Sequence, residues 1–213
     1  MNFQNEIVSL YTGTGWKKVF ARLRFSYAPY IETEKFIPKA GKILDLGCGE
    51  GIFTNYIGLT SKKRRVLGIE VDKKRVDQAV RGIGNVKFKL GDITRVDLPN
   101  SDGIIFFQVL HHLPTYELQE LMIEKCSKSL KTGAKLIIVE IHVKPSIKYL
   151  LNWITDHLLV AWFFEKRLYT PIFFRKVWEW KKLLKKSDFD CKIIYPDEKF
   201  KPFPNVILDC TKI

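Results

Sequence analysis

Cysteine is scarce: the four thiols, Cys48, Cys126, Cys191 and Cys210, are scattered along 213 residues and form no C-x-x-C pair. That spacing indicates neither a zinc site nor a disulfide framework, and it predicts buried thiols in a reducing compartment. Long apolar runs are also missing. The longest, Leu158 to Phe164, falls far short of the ~20 residues a spanning helix needs. Met1 to Gly15 lacks a basic region followed by an apolar stretch, so no secretory leader is expected and a cytoplasmic, at most membrane-peripheral, protein is the reading. Acidic residues are the third shortage: 23 Asp and Glu stand against 36 Lys and Arg, a formal net charge of +13. Such a surplus invites an anionic membrane, a nucleic acid or an acidic ligand as partner, beside the plain role of solvating a lysine-rich surface. Repeats and low-complexity tracts are absent, and the length suits a single domain with ample core.

What the chain does have is Ile43-Leu44-Asp45-Leu46-Gly47-Cys48-Gly49-Glu50-Gly51, an apolar run that meets an acid and then three alternating glycines. With Gly41-Lys42 before it and Ile52 to Ile57 after it, the segment reads as a buried strand, a tight loop and a helix start. The dinucleotide pattern G-x-G-x-x-G does not fit. Phe53 stands near the place of its third glycine, and Glu50 would repel a diphosphate.

The D-x-G-x-G-x-G pattern instead resembles motif I of the class I S-adenosylmethionine-dependent methyltransferases. Their ligand carries a cationic sulfonium and an amino-acid end, and Asp45 suits its ammonium group. Three further segments follow in the family's order. Val66 to Asp72 is an apolar strand ending in acids, and Glu70 lies about 20 residues beyond the last glycine, a spacing that suits a carboxylate accepting both ribose hydroxyls. Asn85 to Ile93 is a third strand whose Asp92 matches the family position for the adenine amino group. Asp102 to Pro114 resembles the fourth strand and the loop after it. The resemblance implies a donor site of Asp45, Gly47, Cys48, Gly49, Gly51, Glu70, Val71, Gly91, Asp92, Ile93 and Gln108, with Arg24 pinning the donor carboxylate. S-adenosylmethionine is the implied cofactor and S-adenosylhomocysteine the product; no metal is implied.

Alternating strand and helix patterns from Ile43 to Val139 predict a Rossmann-like α/β fold, a mostly parallel doubly wound sheet. Helices are expected near Ile52 to Leu59, Lys73 to Arg81 and Tyr116 to Leu130, with Lys131-Thr132-Gly133 as a helix stop before a strand at Ala134 to Ile141. Pro145 to Lys186 is aromatic and basic and reads as two helices, Ser146 to Arg167 and Pro171 to Lys186. Cys191 to Tyr195 and Asn205 to Lys212 read as a closing antiparallel strand pair. The expected organisation is thus a helical preamble at 1–37, a donor-binding core at 38–143, an inserted helical cap at 144–170 and a last helix with closing strands at 171–213. The preamble's helical spacing Trp16, Val19, Phe20, Leu23 is expected to pack over the pocket.

In-line methyl transfer from an activated donor draws on positioning for much of its rate, and a base is needed only for some acceptors. His111 and His112 are the base candidates, because a histidine takes a proton near neutral pH and this loop faces the donor methyl in the family. Tyr30, Asn152, Asp156 and Tyr169 are substrate-side candidates. A hydrophobic or lipid-like acceptor ranks first, an RNA acceptor second, and a donor-binding scaffold without catalysis third. The chain lacks the Asn/Asp-Pro-Pro-Tyr/Phe run of base amino-group methylases, carrying Gln108 to His111 there instead.

Overall fold

The computed structural model describes residues 3–11, 22, 24, 25, 27–144, 150, 172–196 and 204–213. Seven strands form one sheet: β1 (Gly41–Leu46), β2 (Arg64–Glu70), β3 (Val86–Leu90), β4 (Ser101–Phe107), β5 (Leu130–Ile141), β6 (Phe189–Ile194) and β7 (Asn205–Lys212). Their order is β3-β2-β1-β4-β5-β7-β6. The first five are parallel, while β7 runs antiparallel to both β5 and β6. Helices α1 (Phe3–Leu10), α2 (Tyr30–Glu34), α3 (Ile52–Thr60), α4 (Lys73–Ala79), α5 (Tyr116–Ser129) and α6 (Val177–Lys186) accompany it.

Period-two alternation sorts the central strands onto two cores. Leu44, Leu46, Ile104, Phe106, Leu136 and Ile138 pack with Met122, Ile123 and Cys126 of α5 and Trp180 and Leu184 of α6. Their neighbours Ile43, Ile105, Phe107, Ile137 and Val139 face the other way, onto Ile7 of α1 and Ile52, Phe53, Tyr56 and Ile57 of α3. Helix starts follow capping chemistry. The Asp72 carboxylate accepts from Lys74 N at 2.7 Å, and the Thr115 hydroxyl accepts from Leu118 N at 3.2 Å.

Arg64, at the start of β2, is fully buried and fastens the preamble to the sheet. Its guanidinium donates to the carbonyls of Pro38 (2.7 Å), Ile37 (3.1 Å) and Ile57 (2.9 Å) and pairs with Glu34 at 2.9 Å. Arg64→Met leaves three carbonyls and a carboxylate without this donor. It should cost about 3–5 kcal/mol of stability, read as a lower melting temperature in calorimetry. Unchanged melting would refute the fastening role.

The structure corrects two expectations. The last helix starts at Val177, not Pro171: residues 172–176 are outside any helix because their backbone is hydrogen-bonded elsewhere, Phe173 N donating to His111 O at 2.9 Å. Cys191 and Cys210 are disulfide-bonded rather than free. They face each other in the antiparallel register of β6 and β7, a proximity that the spacing along the chain does not reveal. Cys48 and Cys126 are free thiols. Except for Leu150, the expected helix at Ser146 to Arg167 lies outside the described residues, as do Trp16, Val19, Phe20 and Leu23.

Candidate active site

The glycine loop joins β1 to α3 at the carboxyl edge of the sheet, where open α/β sheets bind their ligands. Gly47 N and Cys48 N both donate to Ile69 O, at 2.8 and 3.2 Å, which ties the loop to β2. Packing requires two of its glycines. A Cβ on Gly47 would stand 2.6 Å from Val109 Cγ1, and one on Gly51 would stand 2.7 Å from Ala79 Cβ. Gly49 differs: its φ is +55°, and an added Cβ would meet nothing within 4 Å. The space over Gly49 is therefore open, a cradle that a side chain would fill. Gly49→Val should abolish S-adenosylmethionine binding in titration calorimetry while the protein still folds; wild-type affinity would show the cradle to be elsewhere.

Asp45 is the acid in β1 that precedes this loop. It is 1% exposed, its Oδ2 accepts from Thr54 Oγ1 at 2.6 Å, and its Oδ1 is buried without a hydrogen-bond partner. Burial pushes the carboxyl pKa up to about 7, with Thr54 opposing and Glu70 adding to the shift. A buried carboxylate oxygen with no donor beside an open cradle fits a ligand's ammonium group. Glu70 accepts from Gly49 N (2.9 Å), Val71 N (2.9 Å) and Asp72 N (3.0 Å). A carboxylate offers about four acceptor positions, so capacity for a hydroxyl remains. Asp92 Oδ1 is used by Thr94, through N at 2.9 Å and Oγ1 at 2.7 Å; these bonds, with Arg95 nearby, hold its pKa below the usual carboxylate range.

Of the other expected donor residues, Val71 is exposed at the tip of β2, next to the Glu70 carboxylate it caps. Gly91 packs under Val96, where a Cβ would lie 2.8 Å from Cγ1. The Ile93 side chain packs in the α5-side core. Cys48 likewise turns its thiol inward, toward Gly68, so only its backbone is available to a ligand. Arg24 lies among Tyr27, Tyr30 and Glu50; burial lowers its pKa, but the neighbouring phenols and carboxylate outweigh that. Tyr30 is buried, stacked on Phe53 at 4.9 Å and packed edge-on against Phe107 at 4.8 Å. Burial raises its pKa, with Arg24 opposing the shift and Asp45, Tyr27 and Glu50 adding to it.

A second cluster of polar and aromatic side chains is built on the turn after β4. Gln108 holds φ of 56°, a left-handed conformation uncommon outside glycine and typical of functional turns. Its Nε2 donates to Asn205 Oδ1 at 2.8 Å, which ties the side chain to β7. His111 is buried, with Nδ1 2.5 Å from Glu140 Oε2, while Glu140 Oε1 accepts from Leu110 N at 2.9 Å. The pair shares one hydrogen between Nδ1 and Oε2, which fixes the orientation of the ring. Phe174 stacks on the His111 ring at 5.0 Å, and the exposed His112 lies 4.2 Å away. Gln119 Nε2 donates to Leu110 O (3.0 Å) and Phe173 O (2.8 Å), and Arg175 Nε donates to Gln119 Oε1 (2.7 Å). The segment leaving the expected cap is thereby bolted to the histidine turn. Asn152, Asp156 and Tyr169 lie outside the described residues.

Sequence reasoning missed Thr54, Glu140, Gln119 and Phe174, together with Tyr11, whose hydroxyl donates to Glu50 O at 2.7 Å. Glu140 had a readable signal: it is a lone acid inside the apolar run Leu136 to Ile141.

Residues 43–133 match the family described as a methyltransferase domain. Curated relatives include the (S)-coclaurine N-methyltransferase of Thalictrum flavum subsp. glaucum, 34% identical over 132 residues, covering 56% of this chain and 35% of the relative. Another is the ribosomal RNA small subunit methyltransferase C of Acinetobacter baumannii, 28% identical over 112 residues, covering 47% and 33%. The chain thus spans less than half the length of these relatives. Among solved structures, an S-adenosylmethionine dependent methyltransferase from Mesorhizobium loti superimposes with a TM-score of 0.65 over 86% of this chain and 97% of that one, at 16% identity, a likeness of fold. Over residues 43–133 the chain is thus similar to a methyltransferase domain, and its fold is like that of solved S-adenosylmethionine dependent methyltransferases.

Proposed function

We propose that this protein transfers a methyl group from S-adenosylmethionine to a hydrophobic, lipid-like small molecule by in-line displacement. The observation that carries the donor half is the buried, partnerless Oδ1 of Asp45 beside the open Gly49 cradle. When bound, the donor supplies an activated methyl on a cationic sulfur and leaves as S-adenosylhomocysteine. Asp45 would hold the donor's ammonium group, Glu70 its ribose and Asp92 its adenine amino group, with Arg24 on the carboxylate.

The turn Val109 to His112 borders Gly47, so acceptor and donor meet at the ends of β1 and β4. His112 is the exposed ring and takes the acceptor's proton where the acceptor requires it; His111, oriented by Glu140, positions the turn beneath it. The aromatic character of residues 145–180 supports an apolar acceptor. The net charge of +13 and the ribosomal RNA relative favour RNA as the second reading.

Calorimetry with S-adenosylmethionine tests the donor half, and absence of binding would remove both readings. Transfer of radiolabelled methyl into an organic extract, as against RNA, decides between acceptors. In that assay His112→Ala should lower turnover roughly 100-fold with donor affinity unchanged. A parallel loss of donor affinity would remove the base role.

A further inference from the structure

We infer that the carboxyl edge of the sheet, on the His111 half, is a seat for an anionic lipid surface. The inference extends the lipid-like acceptor reading by naming where such an acceptor would be met. Three large aromatic side chains are exposed there: Tyr116 (41%), Trp178 (61%) and Tyr195 (55%). Topology puts them at one end. Tyr116 opens α5 just after the histidine turn, and Tyr195 follows β6, which runs in the same direction as β5. Trp178 lies in the first turn of α6, the helix that leads back into β6. Tyr116 also touches the acceptor side directly, its hydroxyl donating to Phe174 O at 3.0 Å and its ring packing edge-on against Phe173 at 5.2 Å.

Helical spacing then adds charge to the apolar groups. On α6, Trp180, Leu183 and Leu184 are buried, which turns Trp178, Lys181, Lys182 and Lys185 to the outside as one stripe. A tryptophan above three lysines with no acid among them is the composition of an interfacial helix: the ring enters the headgroup boundary and the ammonium groups meet lipid phosphates. Charge complementarity favours an anionic surface over a neutral one, and the chain's net charge of +13 adds long-range attraction. Among the described residues no helix is long and apolar enough to cross a membrane, so the contact is peripheral. The exposed rings favour lipid over RNA, because a single sparse row of aromatics beside one helix offers no groove for a nucleic-acid backbone.

Cosedimentation of the whole protein with phosphatidylglycerol vesicles tests this, with phosphatidylcholine vesicles and RNA as comparisons and donor calorimetry run in parallel. Expected is binding to the anionic vesicles only, weakening as salt rises. The K181Q/K182Q pair should weaken it by roughly 30-fold, at about fivefold per charge, and Trp178→Ala should weaken it further while donor affinity stays at the wild-type value. Absence of vesicle binding, wild-type vesicle binding by both variants, or a lysine effect seen on RNA alone would each overturn the proposal. None of these outcomes bears on the donor site, whose failure would appear in the calorimetry.

Discussion

Asp45→Asn should make the protein more stable at pH 8 and at the same time strip it of most of its grip on S-adenosylmethionine. The carboxyl's pKa is pushed to about 7 because the folded state buries it. A group whose pKa is raised on folding contributes stability that is complete below its unfolded value near ~3.9 and is lost as pH climbs through its folded value near neutrality. Above that point the protein keeps a buried charge with one oxygen unserved. Asparagine removes the charge, and the gain should be on the order of 2–4 kcal/mol at pH 8 and vanish near pH 4. Donor binding moves the other way: loss of a charge-assisted contact should cost roughly 10- to 100-fold in affinity. In the wild type, that affinity should itself fall as pH drops below about 7, because a protonated Asp45 no longer attracts an ammonium group. Thermal melts at both pH values and calorimetry at pH 8 check these effects. A variant that is less stable and binds as before would mean that Asp45 is a structural acid.

Glu140→Leu should be the most damaging conservative-volume change in the acceptor half. The carboxylate serves two buried donors, Leu110 N and His111 Nδ1, and leucine serves neither. Each orphaned donor costs ~1–3 kcal/mol, so a loss of about 2–6 kcal/mol is expected, roughly 10 °C in melting temperature for a chain of this length. Donor affinity should change little, since Glu140 lies on β5 and the cradle on the β1 loop. Combining it with His111→Phe removes one orphan and should recover part of the loss. Wild-type melting of Glu140→Leu would show that the pair contributes nothing.

The donor half was legible in sequence because its chemistry is local: one strand end, one loop and two more strand tips, each marked by glycine or acid at a fixed offset. Glu70 does reach the loop, accepting from Gly49 N, while the Ile93 side chain and the Cys48 thiol point into the interior. The acceptor half was not legible, since its contacts join distant segments. Glu140 reaches His111 across 29 positions, Asn205 reaches Gln108 across 97, and Arg175 reaches Gln119 across 56. Periodicity places such residues on a face without naming their partners. The same limit explains the start of α6. Residues 172–176 read as helix by composition, but the histidine turn and α5 claim their backbone and side chains. The disulfide between Cys191 and Cys210 escaped for the same reason, being a product of strand register.

Tyr11 carries one more consequence. Its hydroxyl holds the carbonyl of Glu50 and receives a hydrogen bond from Asn55 at 2.9 Å, while Arg81 lies over its ring at 4.4 Å. The residue that follows the opening helix therefore latches the glycine loop at Glu50, although it belongs to no strand or loop of the sheet. Tyr11→Phe, which drops the hydroxyl and keeps the buried ring, should leave the circular dichroism native and weaken donor binding in calorimetry; wild-type affinity would show that the latch does not serve the donor.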